Sequence, residues 1–345
     1  MTLKKSLQVL MVLWLSLTLA GVAPAAVKPP TVKPLAVEDG LDEVTAKSFV
    51  IMDRASGKIL MGRNPDMFRP PASTLKVFTA VAVVEKLKLE DKICVSAHAA
   101  AAPPSKIACK PGQLFTVEEL LYALLLSSGN DAARALAEKV SGSEEAFGRF
   151  LSHKASEWGA YRTNVVNASG LPAEDQFSTA KDLAVVFRRA MENPALAKIM
   201  NTKTHHIQGG RELRNHNRFL FTTPLAVGGK TGWIRSAQHT YVGMFQNKDK
   251  AIIISIMGST KKWADLRVLI EKGFELEGVP IAKLPPAEEK LRFAKLDMGP
   301  QPAAKAHVKK KRRGKVSTAS VASSGKKKPR KKSSRKKASR TATAS

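Results

Sequence analysis

The sequence predicts an α+β fold: an antiparallel sheet flanked by helices, with an all-helical subdomain inserted. Three observations carry this. Residues 48–62 read as a β-hairpin, with two short apolar runs around Ala55-Ser56-Gly57. Residues 85–200 show helical periodicity and helix-boundary signals. Residues 227–257 return to β-pattern, and an amphipathic helix over 263–274 follows. Strands at both ends with helices between them fit one sheet interrupted by a helical insertion.

Taken in order, 48–53 is a strand and 58–62 its return. A helix begins near Ser73 and runs to about Lys88. Thr116 and Glu119 have the spacing of a capping box, which opens an apolar helix through Leu126. Ser127-Ser128-Gly129-Asn130 interrupts it, and a second helix over 131–140 stops near Gly142. Further helices are expected over 144–157 and over 179–192, the latter capped by Ser178 and ended by Asn193-Pro194. Strands over 240–245 and 251–257 pair around Asn247-Lys248-Asp249.

The chain has 345 residues, 43% of them hydrophobic, enough for a large core. Its net charge of +28 is concentrated at one end, where residues from Lys305 onward hold many Lys and Arg but no Asp or Glu. Lys4 and Lys5, an apolar run over 7–19 and Ala23-Pro24-Ala25 read as a secretory signal, which places the mature protein in the periplasm or cell envelope. The expected organisation is a signal peptide (1–26), an extended leader (27–44), a catalytic domain (45–278), a linker (279–304) and a disordered Lys/Arg-rich tail (305–345). In an exported protein the tail is read either as held to an anionic membrane or wall surface or as a solvated segment with no fixed partner, and nucleic acid is not an expected partner. Cys94 and Cys109 are a candidate disulfide.

Ser73 and Lys76 stand three residues apart at the start of an apolar helix, so the hydroxyl and the amine share one face. An amine held neutral by burial can activate a hydroxyl. Alone, the pair also reads as a helix-start serine and a solvated lysine. Two further motifs change that reading: Ser128-Gly129-Asn130 between two helices, and Lys230-Thr231-Gly232 on a strand after Gly228-Gly229.

Together the three motifs resemble those of the low-molecular-mass penicillin-binding proteins, the serine-type D-alanyl-D-alanine carboxypeptidases. Residues 120–133, Ser169-Gly170-Leu171-Pro172, residues 178–183 and Arg214-Asn215-x-Asn217 extend the resemblance over about 45–277. It implies the β-lactamase/transpeptidase-like fold and acyl transfer without a cofactor or metal. Ser73 would attack the carbonyl between two terminal D-alanines of a peptidoglycan stem peptide. Lys76 would be the base, and Ser128 would pass a proton to the leaving nitrogen. Asn130 would hold the peptide amide and Lys230 would hold the substrate end or tune Ser128. Thr231 would bind the terminal carboxylate, beside Gly232. The N–H groups of Ser73 and Trp233 would form the oxyanion hole, and β-lactams would inhibit.

Ile234 stands where members often have threonine, and residues 233–239 are bulkier than usual, which bears on substrate preference. Arg235 is a further candidate for the carboxylate. Some shorter members are endopeptidases on D-alanine cross-links, an alternative that would use the same residues. A β-lactamase is disfavoured by Gly129 in the middle motif, and a non-catalytic binding module by the intact Ser73, Lys76, Ser128 and Lys230.

Overall fold

A computed structural model describes residues 40–285. The signal segment, residues 27–39 of the leader, residues 286–304 of the linker and the basic tail lie outside the described residues.

The hairpin forms as β1 (Ser48–Asp53) and β2 (Ile59–Arg63), its turn braced by the Asp53 carboxylate, which accepts from the Ser56 N–H at 2.8 Å. A 3-10 turn (Ala72–Leu75) leads into α1 (Lys76–Lys86). Then come β3 (Lys92–Cys94), α2 (Ala97–Ala100) and β4 (Leu114–Thr116), with β3 and β4 paired antiparallel. The expected capping box starts α3 (Val117–Leu125): Thr116 Oγ1 accepts from the Glu119 N–H, and the Glu119 carboxylate accepts from the Thr116 N–H. Helix α4 (Asn130–Ser141) ends at Gly142, whose φ of 80° lies in the left-handed region glycine tolerates. Helices α5 (Glu144–Glu157), α6 (Ala180–Glu192) and α7 (Pro194–Asn201) follow.

Thr179, not Ser178, caps α6, because its hydroxyl accepts from the Asp182 N–H while Ser178 Oγ turns to Thr163. Asn193-Pro194 ends α6 but also starts α7. Asn193 caps the new helix, and proline at its first position gives up no hydrogen bond. The hairpin of β5 (Thr204–Ile207) and β6 (Arg211–Arg214), and the short α8 (Phe219–Thr222), complete the insertion. Strands β7 (Ala226–Ile234), β8 (Gln238–Asn247) and β9 (Lys250–Ser259), then α9 (Lys262–Leu276), close the chain order.

The main sheet is antiparallel, in the order β2-β1-β9-β8-β7. Everything from the 3-10 turn to α8 is therefore inserted between two edge strands, β2 and β7. Side chains alternate across a strand, so each strand serves two cores. Phe49, Ile51, Tyr241, Phe245, Ile252 and Ile254 pack towards Leu266, Ile270 and Phe274 of α9. Val50, Met52, Val242, Met244, Ile253 and Met257 pack towards the helical insertion. Each fully buried side chain of this size contributes about 1.5–3 kcal/mol. The core also reaches past the expected domain ends: Leu41 and Val44 are buried in it, and Val279, Ile281 and Leu284 pack partly against it.

The candidate disulfide is not formed; both cysteines are free. Cys94 pairs with Leu114, and its side chain is exposed. Cys109 turns inward to Asp131, which accepts from its N–H at 3.0 Å. Burial, and then Asp131, push this thiol up to about 12.

Candidate active site

The nucleophile candidate sits on the 3-10 turn before α1. Ala72, one residue earlier, has φ 50°, a strained conformation for a residue with Cβ. Its surroundings hold it there. The Pro71 carbonyl accepts from Thr74 Oγ1 at 2.6 Å and from Thr240 Oγ1 at 2.9 Å, which ties the turn to β8. Gly170, at φ 79°, lies so close that a Cβ there would stand 1.8 Å from the Ala72 carbonyl oxygen. Ser73 is thereby fixed at the mouth of the site, half-buried.

Lys76, one turn on, is fully buried. Its Nζ lies 3.2 Å from Ser73 Oγ, 2.8 Å from Asn130 Oδ1 and 2.7 Å from the Ser169 carbonyl. Burial holds the amine well below the ordinary lysine range, and the Lys230 charge lowers it further. A neutral amine has two N–H donors and one lone pair. Asn130 and Ser169 take the donors, which leaves the lone pair for the Ser73 hydroxyl. The 167–170 loop that supplies the Ser169 carbonyl is itself braced. Thr79 Oγ1 donates to the Ala168 carbonyl at 2.7 Å, and the buried Glu144, paired with Arg134 at 2.9 Å, accepts from the Ala168 N–H.

The break between α3 and α4 brings the second motif to the same space. Ser128 takes φ 61°, which lets the chain turn sharply between the two helices. Its Oγ accepts from Lys230 Nζ at 3.1 Å. Asn130, the first residue of α4, also donates from Nδ2 to the Pro103 carbonyl at 3.0 Å, which fixes the orientation of its amide. Lys230 is buried to 1% exposure, and burial followed by Lys262 lowers its amine to about 7.

The third motif lies on β7, whose other edge is unpaired in the sheet. Lys230 and Gly232 point to the helical side, opposite Val242 and Thr240, while Thr231 and Trp233 point to the α9 side, opposite Tyr241 and His239. A Cβ at Gly232 would lie 2.8 Å from the Ser73 nitrogen and 2.3 Å from Thr240 Oγ1, so glycine lets the strand pass against the nucleophile's backbone. Trp233 stands 61% exposed beside it.

Ser73, Lys76 and Asn130 thus meet through direct contacts, Ser128 meets Lys230, and the Lys230 charge reaches Lys76, with Thr231, Gly232 and Trp233 on the same strand as Lys230. On the α9 side of β7 lies a cavity of about 560 Å³, bordered by Thr231 and by basic residues that the sequence did not single out for chemistry, among them Arg218, His239 and Lys262. Arg235, the arginine that follows the strand motif, is not among its lining residues. Burial and then Arg218 lower Lys262 to about 8. No local motif marks these groups, because three separate segments bring them together.

Comparison with known proteins gives this arrangement its relatives. Residues 34–261 match the family model described as D-alanyl-D-alanine carboxypeptidase. The chain is 34% identical over 242 residues to a D-alanyl-D-alanine carboxypeptidase of Mycobacterium tuberculosis, covering 67% of this chain and 83% of the relative. It is 32% identical over 224 residues to one of Bacillus subtilis, covering 62% of this chain but only 58% of that longer protein. A D-alanyl-D-alanine endopeptidase of Pseudomonas aeruginosa is 28% identical over 287 residues, 79% of this chain and 90% of that one. The crystal structure of a D-alanyl-D-alanine carboxypeptidase from Mycobacterium tuberculosis superposes with a TM-score of 0.66 at 31% identity, covering 73% of this chain and all of that one. A strained serine turn, a buried lysine pair and the strand that passes against them therefore sit within a matching sequence and a matching fold, and the chain belongs to the D-alanyl-D-alanine carboxypeptidase family of serine hydrolases.

Proposed function

We propose that this chain is a DD-carboxypeptidase that removes the terminal D-alanine from peptidoglycan stem peptides through an acyl-enzyme on Ser73. The observation that carries the reading is the placement of Lys76: fully buried, with two acceptors for its N–H groups and the Ser73 hydroxyl at 3.2 Å. Ser73 Oγ attacks the carbonyl carbon between the two D-alanines and gives its proton to Lys76. The C–N bond then breaks, and the proton reaches the leaving nitrogen through Ser128. Water hydrolyses the ester and restores the serine.

Lys230 donates to Ser128 and, when charged, favours the neutral form of Lys76. Asn130 orients the peptide, and Thr231 binds the terminal carboxylate. The Ser73 and Trp233 N–H groups receive the oxyanion, a reading supported by the close passage of Gly232 beside the Ser73 nitrogen. β-Lactams acylate the same serine. D-Alanine release from a synthetic diacyl-lysyl-D-alanyl-D-alanine tests this: Ser73→Ala and Lys76→Ala each lower kcat/KM by about a thousandfold or more, with the fold retained. Release that survives Ser73→Ala contradicts it.

Cleavage of D-alanine cross-links is the second reading, favoured by the size of the cavity beyond Thr231 and by the endopeptidase relative. The reading also places the protein in the cell envelope, with the tail held to anionic surfaces by charge. Among the described residues no helix is long and apolar enough to cross a membrane. Co-sedimentation of the mature chain with anionic vesicles is expected to fall steeply as salt rises. Binding unaffected by salt removes the electrostatic account.

A further inference from the structure

Each of the two acceptors that hold the Lys76 amine has a buried carboxylate behind it. Asn130 is followed by Asp131, which is fully buried and accepts from the Ile107 N–H at 3.1 Å and the Cys109 N–H at 3.0 Å. Ser169 is preceded by Ala168, whose N–H donates to Glu144 Oε1 at 3.2 Å. Glu144 opens α5 and is 8% exposed, and its Oε2 accepts from Arg134 Nε of α4 at 2.9 Å. The charged groups that act on the Lys76 amine are Lys230 from β7, Glu144 from α5 and Asp131 from α4, and Arg134 is the cation that faces Glu144.

The two carboxylates differ in what their hydrogen bonds require. Asp131 serves backbone N–H groups with both oxygens, the Ala132 N–H among them, so the turn over 107–109 needs a carboxylate there. Glu144 braces the loop over 167–170 with one oxygen, a task that the amide oxygen of glutamine would also do. The same loop is already tied to α1 by Thr79, which donates to the Ala168 carbonyl at 2.7 Å. Bracing therefore accounts for the place of the Glu144 side chain but not for its charge, and a buried ion pair costs desolvation that neutral side chains of like size avoid.

The chemistry at Ser73 gives the charge a use. Burial and Lys230 both favour the neutral form of Lys76, which frees its lone pair. The same two influences oppose the next event, in which the amine takes the serine proton and becomes a cation inside the protein. A negative charge close by offsets that cost in the step where it arises.

We propose that Glu144 is a positioning residue for acyl transfer, whose negative charge supports the protonated Lys76 that forms as Ser73 attacks. The inference rests on the reading of Lys76 as the base. The proton passes from Ser73 Oγ to Lys76 Nζ as the bond from Oγ to the carbonyl carbon forms, and Glu144 neither gives nor takes one. Arg134 holds the carboxylate ionised and turned to the loop.

The test is the second-order rate of acylation by benzylpenicillin, followed against pH for the mature wild type, Glu144→Gln, Glu144→Asp and Thr79→Val. The acid limb of this profile reports protonation of the free enzyme's base. Removing the carboxylate charge makes that protonation harder. Glutamine should therefore carry the limb to lower pH by about half a unit or more, and lower the plateau about tenfold because the lysine cation is less well supported. Aspartate keeps the charge and should leave the limb near its wild-type position. Thr79→Val loosens the same loop without a change of charge, so any loss of rate should come without a shift of the limb. Thermal melting checks the fold of each variant. Should Glu144→Gln fail to fold, the double variant Arg134→Met/Glu144→Gln replaces the whole buried pair by neutral side chains, and its limb should again move to lower pH. A limb that loss of the carboxylate leaves in place, or that Thr79→Val moves as far, overturns this inference and leaves Lys76 as the base. Folded wild-type protein that the drug does not acylate overturns both.

Discussion

Lys262 lies outside all three motifs, yet its charge acts on the lysine that contacts Ser128. After burial, Lys262 is the group that lowers Lys230. The amine of Lys230 sits near 7, so in the free enzyme its proton is lost as pH rises through neutrality. The profile of kcat/KM reports free-enzyme ionisations, and an alkaline limb near neutrality is expected from loss of the Lys230 charge. Replacing Lys262 by methionine removes a repelling cation, which makes protonated Lys230 easier to keep. The limb should then move to higher pH, whatever happens to the maximum. A limb that stays in place separates it from Lys230. At this scale the sequence was most informative where a contact is local. Ser73 and Lys76 are one turn apart, and their pairing followed from helix geometry alone. The Ser169 carbonyl that completes the lysine's surroundings is 93 residues away, and Glu144 braces it from yet another helix. Such partners leave no periodic or motif signal. Arg218 and Lys262 of the cavity were hidden in the same way, because a lone basic residue in sequence reads as a solvated one.

At the scale of elements, the loop over 167–170 and the serine turn behave as one part. Gly170 combines a left-handed φ with a backbone neighbour, the Ala72 carbonyl, that has no room to yield. Gly170→Ala is expected to destabilise by about 2–5 kcal/mol, the sum of a φ penalty and an overpacking cost. It should also slow acylation by benzylpenicillin, since the displaced carbonyl belongs to the residue before Ser73. Gly142→Ala is the control. It has a similar φ with nothing within 4 Å, so it should cost about 1–2 kcal/mol and leave acylation unchanged. Thermal unfolding and acylation rates of the two variants check this, and equal effects on acylation would contradict the coupling of loop and turn. Elements with a local chemical signature were legible: the capping box of α3, the glycine after α4 and the apolar strands β8 and β9 around their Asn247-Lys248-Asp249 turn. The hairpin of β5 and β6 was not, because Thr204-His205-His206 and Arg211-Glu212 carry too few apolar residues to show a β-period. The boundary at Asn193-Pro194 was read as an end when it is an end and a beginning, since proline at a first helical turn suits either role.

Across the whole molecule, the sheet joins residues that are remote in sequence. β1 pairs with β9 some 200 residues later, and this closure holds β7 at the edge where Ser73, Ser128 and Lys230 converge. The fold class was legible because strands at both ends of a helical stretch leave few ways to pair. The strand order was not, since register and neighbours depend on which faces the two cores bury. The net charge of +28 was legible as concentrated in the tail, whereas the gathering of Arg214, Arg218 and Lys262 beside β7 was not, since they come from separate segments. The central claim, a serine made nucleophilic by a buried lysine, is tested most directly by the intact mass of the mature chain after incubation with benzylpenicillin, beside Ser73→Ala. A covalent adduct of the drug's mass on the wild type and none on the variant is the predicted result. Folded wild-type protein that stays unmodified while the drug remains intact would contradict the account.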